Sequence, residues 1–114
     1  MASEKAIIWI GSSYSDLLKF PGDVRRQAGF QLSKIQWGLE PDDWKAFDNA
    51  GSGLREIRIR ELAGEFRIMI VAKFEEALYV LHCFHKTSRA TSHRDKDIVS
   101  ARYRAVLNAR RGGK

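Results

Sequence analysis

A chain of 114 residues with 44% apolar side chains has material for one domain with a modest core and too much hydrophobicity for a disordered chain. Its 20 Lys and Arg exceed its 14 Asp and Glu by the full net charge of +6, which favours phosphate-bearing partners. The longest apolar runs, such as Ala6–Ile10, fall far short of a bilayer span, so no membrane role is expected. A single cysteine, Cys83, excludes an internal disulfide, and Met1-Ala2-Ser3-Glu4-Lys5 has no signal-peptide pattern; both fit a cytoplasmic location.

Lys5–Ile10, apolar and β-branched, predicts a first strand. Ser13–Phe20 reads as a short helix opened by serine. Pro21 is expected to start a second helix, with Val24, Ala28, Leu32, Ile35 and Leu39 on its core stripe and Arg25, Arg26 and Lys34 off it. Gly38 and Pro41 should stop that helix. Glu40–Gly53 reads as a loop anchored by Trp44 and Phe47, with Gly51-Ser52-Gly53 turning into the next strand. Leu54–Glu61, Glu65–Lys73 and Ala77–His85 then predict an antiparallel meander with tight connections around Ala63-Gly64 and Glu75-Glu76. A last helix is expected from about Ser92 to Ala109. Thr91 or Ser92 would cap it, Asp95 and Asp97 suit its positive end, and Ile98, Ala101, Ala105 and Leu107 would form its apolar face. Arg110-Arg111-Gly112-Gly113-Lys114 is expected to be the flexible basic tail of a single domain spanning 1–114.

The order β-α-α-β-β-β-α predicts an α+β fold. It is a small antiparallel sheet, mixed through its N-terminal strand, with two N-terminal helices packed on it and a C-terminal helix. The helices are expected on one side, giving two layers.

The chemistry gathers between Leu54 and Thr87. Arg58 and Arg60 are two apart, so both point away from the face of Ile57 and Ile59. Arg67 lies on the next strand, alternating with Phe66 and Ile68, and is expected to leave the apolar core. Lys86 and Arg89 follow the third strand. Guanidinium forks match phosphate geometry and keep their charge at any working pH. Few free carboxylates are expected beside them; the competing reading is a solvated face with Glu56 and Glu61 as ion-pair partners. His85, at a strand end, suits proton transfer near neutrality, whereas His82, on the other face beside Val80 and Phe84, reads as a core or second-layer residue.

His82, Cys83, His85 and His93 form a loose cluster, but consecutive strand residues face opposite ways and no CxxC or HExxH spacing exists, so no metal site is expected. Asp42-Asp43 and Asp95-x-Asp97 read as loop or cap residues, and Cys83 as a buried small hydrophobe. No GxSxG, P-loop or dinucleotide fingerprint is present, and no cofactor is expected. A metal-free basic cleft still suits RNA, which carries its own nucleophile. Its 2′-hydroxyl can attack the adjacent phosphate, and guanidinium groups stabilise the charge that develops.

With Leu54-Arg55-Glu56-Ile57-Arg58, Phe66-Arg67 and Leu81-His82-Cys83-Phe84-His85-Lys86-Thr87 in that order, the chain resembles the RelE superfamily of bacterial toxins. Within it the chain is most similar to the HigB-like, phage-associated branch. The resemblance implies a toxin of a type II toxin-antitoxin system that cleaves mRNA on the ribosome and is held in check by an antitoxin, usually of helix-turn-helix type. It implies that Arg58 and Arg60 contact the RNA backbone, that Arg67 stabilises the scissile phosphate, and that Lys86 is the basic residue after the last strand. The usual second lysine is Thr87 here, with His85 as a replacement; His93 stands near where some members carry a tyrosine. The expected catalytic residues are thus Arg58, Arg67, His85 and Lys86, with Arg60, Arg89 and His93 on the RNA. Two alternatives are a ParE-like toxin that poisons gyrase and a non-catalytic phage-derived binding protein.

Overall fold

Residues of alternating polarity dominate the middle of the chain, and they pair there into long strands. The structure, a computed structural model, describes residues 3–112, the side chain of Asn49 excepted. Strand β1 (Ala6–Trp9) is followed by helices α1 (Ser13–Leu18) and α2 (Gly22–Gln36). Then come β2 (Trp44–Ala46), a 3-10 turn (Asp48–Ala50), β3 (Leu54–Glu61), β4 (Gly64–Val71), β5 (Ala77–Lys86) and α3 (His93–Gly112). The five strands form one sheet in the order β1-β5-β4-β3-β2, in which β1 lies parallel to β5 and the remaining neighbours are antiparallel. The expected α+β order stands, with one short edge strand added.

Both sheet faces are covered. Ile57, Ile59, Phe66, Ile68, Ile70, Leu78, Val80 and Cys83 pack against Leu17 and Phe20 and against Val24, Ala28, Leu32 and Ile35 of α2. Leu54, Met69, Val71, Tyr79 and Leu81 pack on the other side against Val99, Tyr103 and Val106 of α3. This corrects the expectation of helices on one side: α3 crosses over, and the domain has three layers. Each large aliphatic side chain buried this way contributes about 1.5–3 kcal/mol.

Three local expectations change. Leu39 is exposed and lies beyond α2, because Gly38 adopts φ +84° just after the helix and turns the chain away. The apolar face of α3 is Val99, Tyr103 and Val106 with Leu107 at its edge, as expected for Leu107, whereas Ala101 and Ala105 are exposed. The larger side chains take the sheet contact and rotate the helix accordingly. Helix α3 also continues through Arg110 and Arg111, where a flexible tail was expected; Gly113 and Lys114 lie outside the described residues.

The segment read as a loop holds β2 because several side chains fix it. Gln31, buried on α2, accepts from the Asp42 backbone N–H at 2.8 Å and donates to the Asp42 carboxylate at 2.8 Å. The Arg55 guanidinium stacks on the Trp44 ring at 4.2 Å. The Arg58 N–H reaches the Asp43 carbonyl at 2.8 Å, extending the pairing between β2 and β3.

A β-bulge in β5 decides which side chains share a face near the strand's end. Met69 opposes His82 while Ile70 opposes Val80, so Leu81 is an extra residue. Leu81 and His82 both serve the α3 side, and every later position of β5 is shifted by one. Phe84 and Lys86 therefore face α3 although Leu78 and Val80 face α2.

Candidate nucleic-acid interface

At one end of the sheet, β3, β4 and β5 present polar side chains to the α3 side. Arg58 pairs directly with Arg67 across β3 and β4, Arg60 with Glu65, and Glu65 in turn with Lys86 on β5. Directly paired residues of an antiparallel ladder share a face. The sheet thus brings Arg58, Arg60, Arg67 and Lys86 together; alternation anticipated the three arginines, whereas Lys86 joins them through the bulge in β5.

Like charges directly opposite repel. Here carboxylates relieve the repulsion. The Arg58 Nε donates to the Asp43 carboxylate at 3.0 Å, and its Nη2 lies 2.9 Å from the same oxygen. Arg67 Nη2 donates to Glu65 at 2.7 Å, and its Nε lies 3.6 Å from Glu56. Arg60 lies 3.8 Å from Glu65. The expectation of few neighbouring carboxylates is therefore corrected: Asp43, Glu56 and Glu65 are interleaved with the arginines. Glu56 is an ion-pair partner as the competing reading held, whereas Glu61 bonds Gln27.

Arg67 leaves the large apolar cluster, but it does not reach open solvent. It is only 3% exposed, beside Glu56 at 2%. Its Nε has no hydrogen-bond partner, since 3.6 Å to Glu56 is beyond hydrogen-bond range. Glu65 is half exposed, and the Arg67 guanidinium holds its carboxyl below the usual carboxylate range, with Arg60 and Lys86 adding to the effect.

His85 does not join this group. It opposes Phe66, stacks on that ring at 4.6 Å between centroids, and stands on the α1–α2 side. It also lies over the β3–β4 turn, where Gly64 has φ +131° and an added Cβ would meet His85 Nε2 at 2.5 Å. The proposed catalytic partnership of His85 with Arg58 and Arg67 is corrected: the bulge gives Lys86 the site face and turns His85 away. His93, the first residue of α3, is exposed. Arg89 is exposed too, and its carbonyl accepts from Lys86 Nζ at 2.8 Å, which ties the loop after β5 to the strand end.

Beside the arginines lies an open cavity of about 290 Å³ lined by Lys45, Phe47, Asp48, Lys86, Arg89 and Lys96, among others. Sequence reasoning missed Lys45 and Lys96. The first sits on the unrecognised strand β2 opposite Glu56. The second lies in the first turns of α3, whose packing alone aims it. Neither carries a signal in the sequence.

His82 is buried and hydrogen-bonded through Nε2 to Asp95 at 2.7 Å, stacked on Phe84, with its Nδ1 buried and unpartnered. Asp95 accepts from Ser92 at the start of α3. His82 therefore fixes the helix start against β5, in keeping with a second-layer role. Cys83 faces the α2 side, and burial pushes its thiol up to about 12. Among the described residues no three His, Cys, Asp or Glu side chains are grouped to hold a metal ion.

Fold and face together define a small α+β domain with an arginine- and lysine-rich surface beside its C-terminal helix. The chain belongs to the phage-derived Gp49-like family (DUF891), whose model matches residues 15–104. That family is toxin-like and related to the RelE and HigB proteins. The matched span runs from α1 into α3 and contains every residue of the basic face. A comparison with curated proteins gives no match.

Proposed function

We propose that this Gp49-like protein is the toxin of a toxin-antitoxin pair and acts as a HigB-like mRNA endonuclease on the ribosome. The observation that carries the reading is the direct pairing of Arg58 with Arg67 on a surface that also holds Lys86. In the proposed reaction the RNA 2′-oxygen attacks the adjacent phosphorus while the bond from phosphorus to the 5′-oxygen breaks. The products are a 2′,3′-cyclic phosphate and a 5′-hydroxyl. Arg58 and Arg67 neutralise the charge that grows on the non-bridging oxygens. Glu65, the exposed carboxylate of the group, takes the 2′-proton in place of His85. A phosphate that binds Arg67 displaces Glu65 from it, which returns basicity to that carboxylate. Lys86 donates a proton to the leaving oxygen. The partner that silences such a toxin is a helix-turn-helix antitoxin with an acidic segment for the basic face.

The test is induction of the wild-type and Arg58→Ala proteins without a partner, followed by mapping of transcript ends. Growth should stop with cleaved transcripts in the wild type. Arg58→Ala should lower cleavage of ribosome-bound mRNA by about 100- to 1000-fold, the usual loss for one preorganised donor. Arrest with intact transcripts would overturn the nuclease reading; inhibition of gyrase supercoiling by the purified protein would put the ParE-like reading in its place.

A further inference from the structure

Charge is unevenly neutralised across the basic face. Arg58, Arg60 and Arg67 each have a carboxylate within 4 Å. Around the neighbouring cavity the balance differs. Lys86, Arg89 and Lys96 are in no ion pair among the described residues, and Lys45 stands 3.9 Å from the buried Glu56 while remaining exposed itself. Asp48 is the one carboxylate among the lining residues described. The cavity draws its cations from separate elements: Lys45 from β2, Lys86 from the end of β5, Arg89 from the following loop, and Lys96 from α3. Excess positive charge in a hollow focuses field and attracts an anion more strongly than the same charges on a flat, neutralised surface.

We infer that this cavity, through Lys45 and Lys96 together with Lys86 and Arg89, is a phosphate-binding subsite for single-stranded RNA. It holds the strand beside the arginine pair and supplies most of the salt-dependent affinity. The inference rests on the RNA reading above, but it concerns binding alone. Lys45 and Lys96 are backbone-positioning residues: they fix where the strand lies and leave base identity unread.

The probe is a fluorescent 2′-O-methyl RNA oligonucleotide, which lacks the attacking hydroxyl and is bound without being cut. Its affinity is measured over a series of salt concentrations for the wild-type protein, Lys45→Ala, Lys96→Ala and the double variant. A lost phosphate contact to a single strand flattens the slope of log K against log salt by about 0.7. Each single variant should show that change and the double variant about twice it. Arg25→Ala, which removes an equal charge from the exposed surface of α2, should leave the slope unchanged. Unchanged slopes in the Lys45 and Lys96 variants, or a loss equal to that of Arg25→Ala, would overturn the inference, as would a wild-type protein that does not bind the oligonucleotide. Polyglutamate is titrated in parallel. If the variants lose affinity for it and keep their affinity for RNA, the cavity seats an acidic protein segment and the inference fails. Cleavage of ribosome-bound mRNA is read separately. A protein that binds the strand through Lys45 and Lys96 yet cuts nothing keeps this subsite and loses the nuclease reading. One that cuts mRNA with unchanged slopes does the reverse.

Discussion

Arg67 shows how far a single residue can be read. Alternation with Phe66 and Ile68 places it on the correct face, but periodicity says nothing about depth. The depth comes from its tertiary neighbours, among them Glu56, which the sheet brings opposite Lys45 and beside Arg67. Removing one member of a buried pair leaves an uncompensated charge and typically costs about 3–5 kcal/mol. Arg67→Ala should therefore destabilise the fold as well as abolish activity, and loss of toxicity in that variant alone says little about mechanism. The double variant Glu56→Gln/Arg67→Gln should be less destabilised than the sum of its two single changes, as read by urea unfolding, and should still be inactive. Additive losses would show that the two side chains act independently. Arg58, partly exposed and paired with the accessible Asp43, is the cleaner probe of chemistry.

At the scale of elements, the junction between α3 and the β4–β5 turn carries a pH signature. Arg110 Nε donates to Glu76 at 2.7 Å, and its guanidinium stacks on Phe74 at 3.7 Å. The Arg110 hydrogen bond, with further help from the Glu76 backbone and from Tyr79, holds the Glu76 carboxyl down from its ordinary 4.5 to about 2. Because the folded value is the lower one, the stabilisation is fully present above about pH 4.5 and is lost as pH falls towards 2. The end of α3 should loosen in that interval, seen as faster amide exchange from Arg104 onward, and Glu76→Gln should remove this dependence on pH. Exchange in α3 that is indifferent to acid would disprove the anchoring role. The same contact explains why the basic tail read from the sequence became helix. A run of arginine and glycine has no local reason to be ordered, but Glu76 and Phe74, over 30 positions earlier, give Arg110 a fixed seat. Strand β2 is a similar case. Three residues, Trp44-Lys45-Ala46, carry no period, and their place at the sheet edge depends on Gln31, Arg55 and the backbone of Arg58.

For the whole molecule, three layers share one sheet, so neither helical layer can leave without exposing apolar surface on strands that serve both. Unfolding is expected to be a single cooperative transition. Cys83 reports on it. Its side chain sits in the cluster between the sheet and α2, and the thiol is held protonated by burial. Labelling by a thiol reagent in native buffer should be slow, and should accelerate with urea in step with the loss of helical circular dichroism. Rapid labelling of the native protein would mean that the α2 layer opens by itself.

The sequence alone determined what depends on short-range pattern. Alternation set the three long strands and the face of Arg58 and Arg60, the apolar stripe set α2, and charge pointed to a polyanion. Three ordered motifs pointed to toxin-like relatives, and the family match places the chain among the Gp49-like proteins. Tertiary structure decided the rest, because it turns on relations between distant segments. A single extra residue in β5, Leu81, cannot be seen in a run of apolar side chains, yet it reverses the parity of everything after it. It sends Lys86 to the arginines and His85 to Phe66. Crossing of α3 to the far face then brought Lys96 to the same cavity as Lys45 and turned a row of basic residues into a hollow.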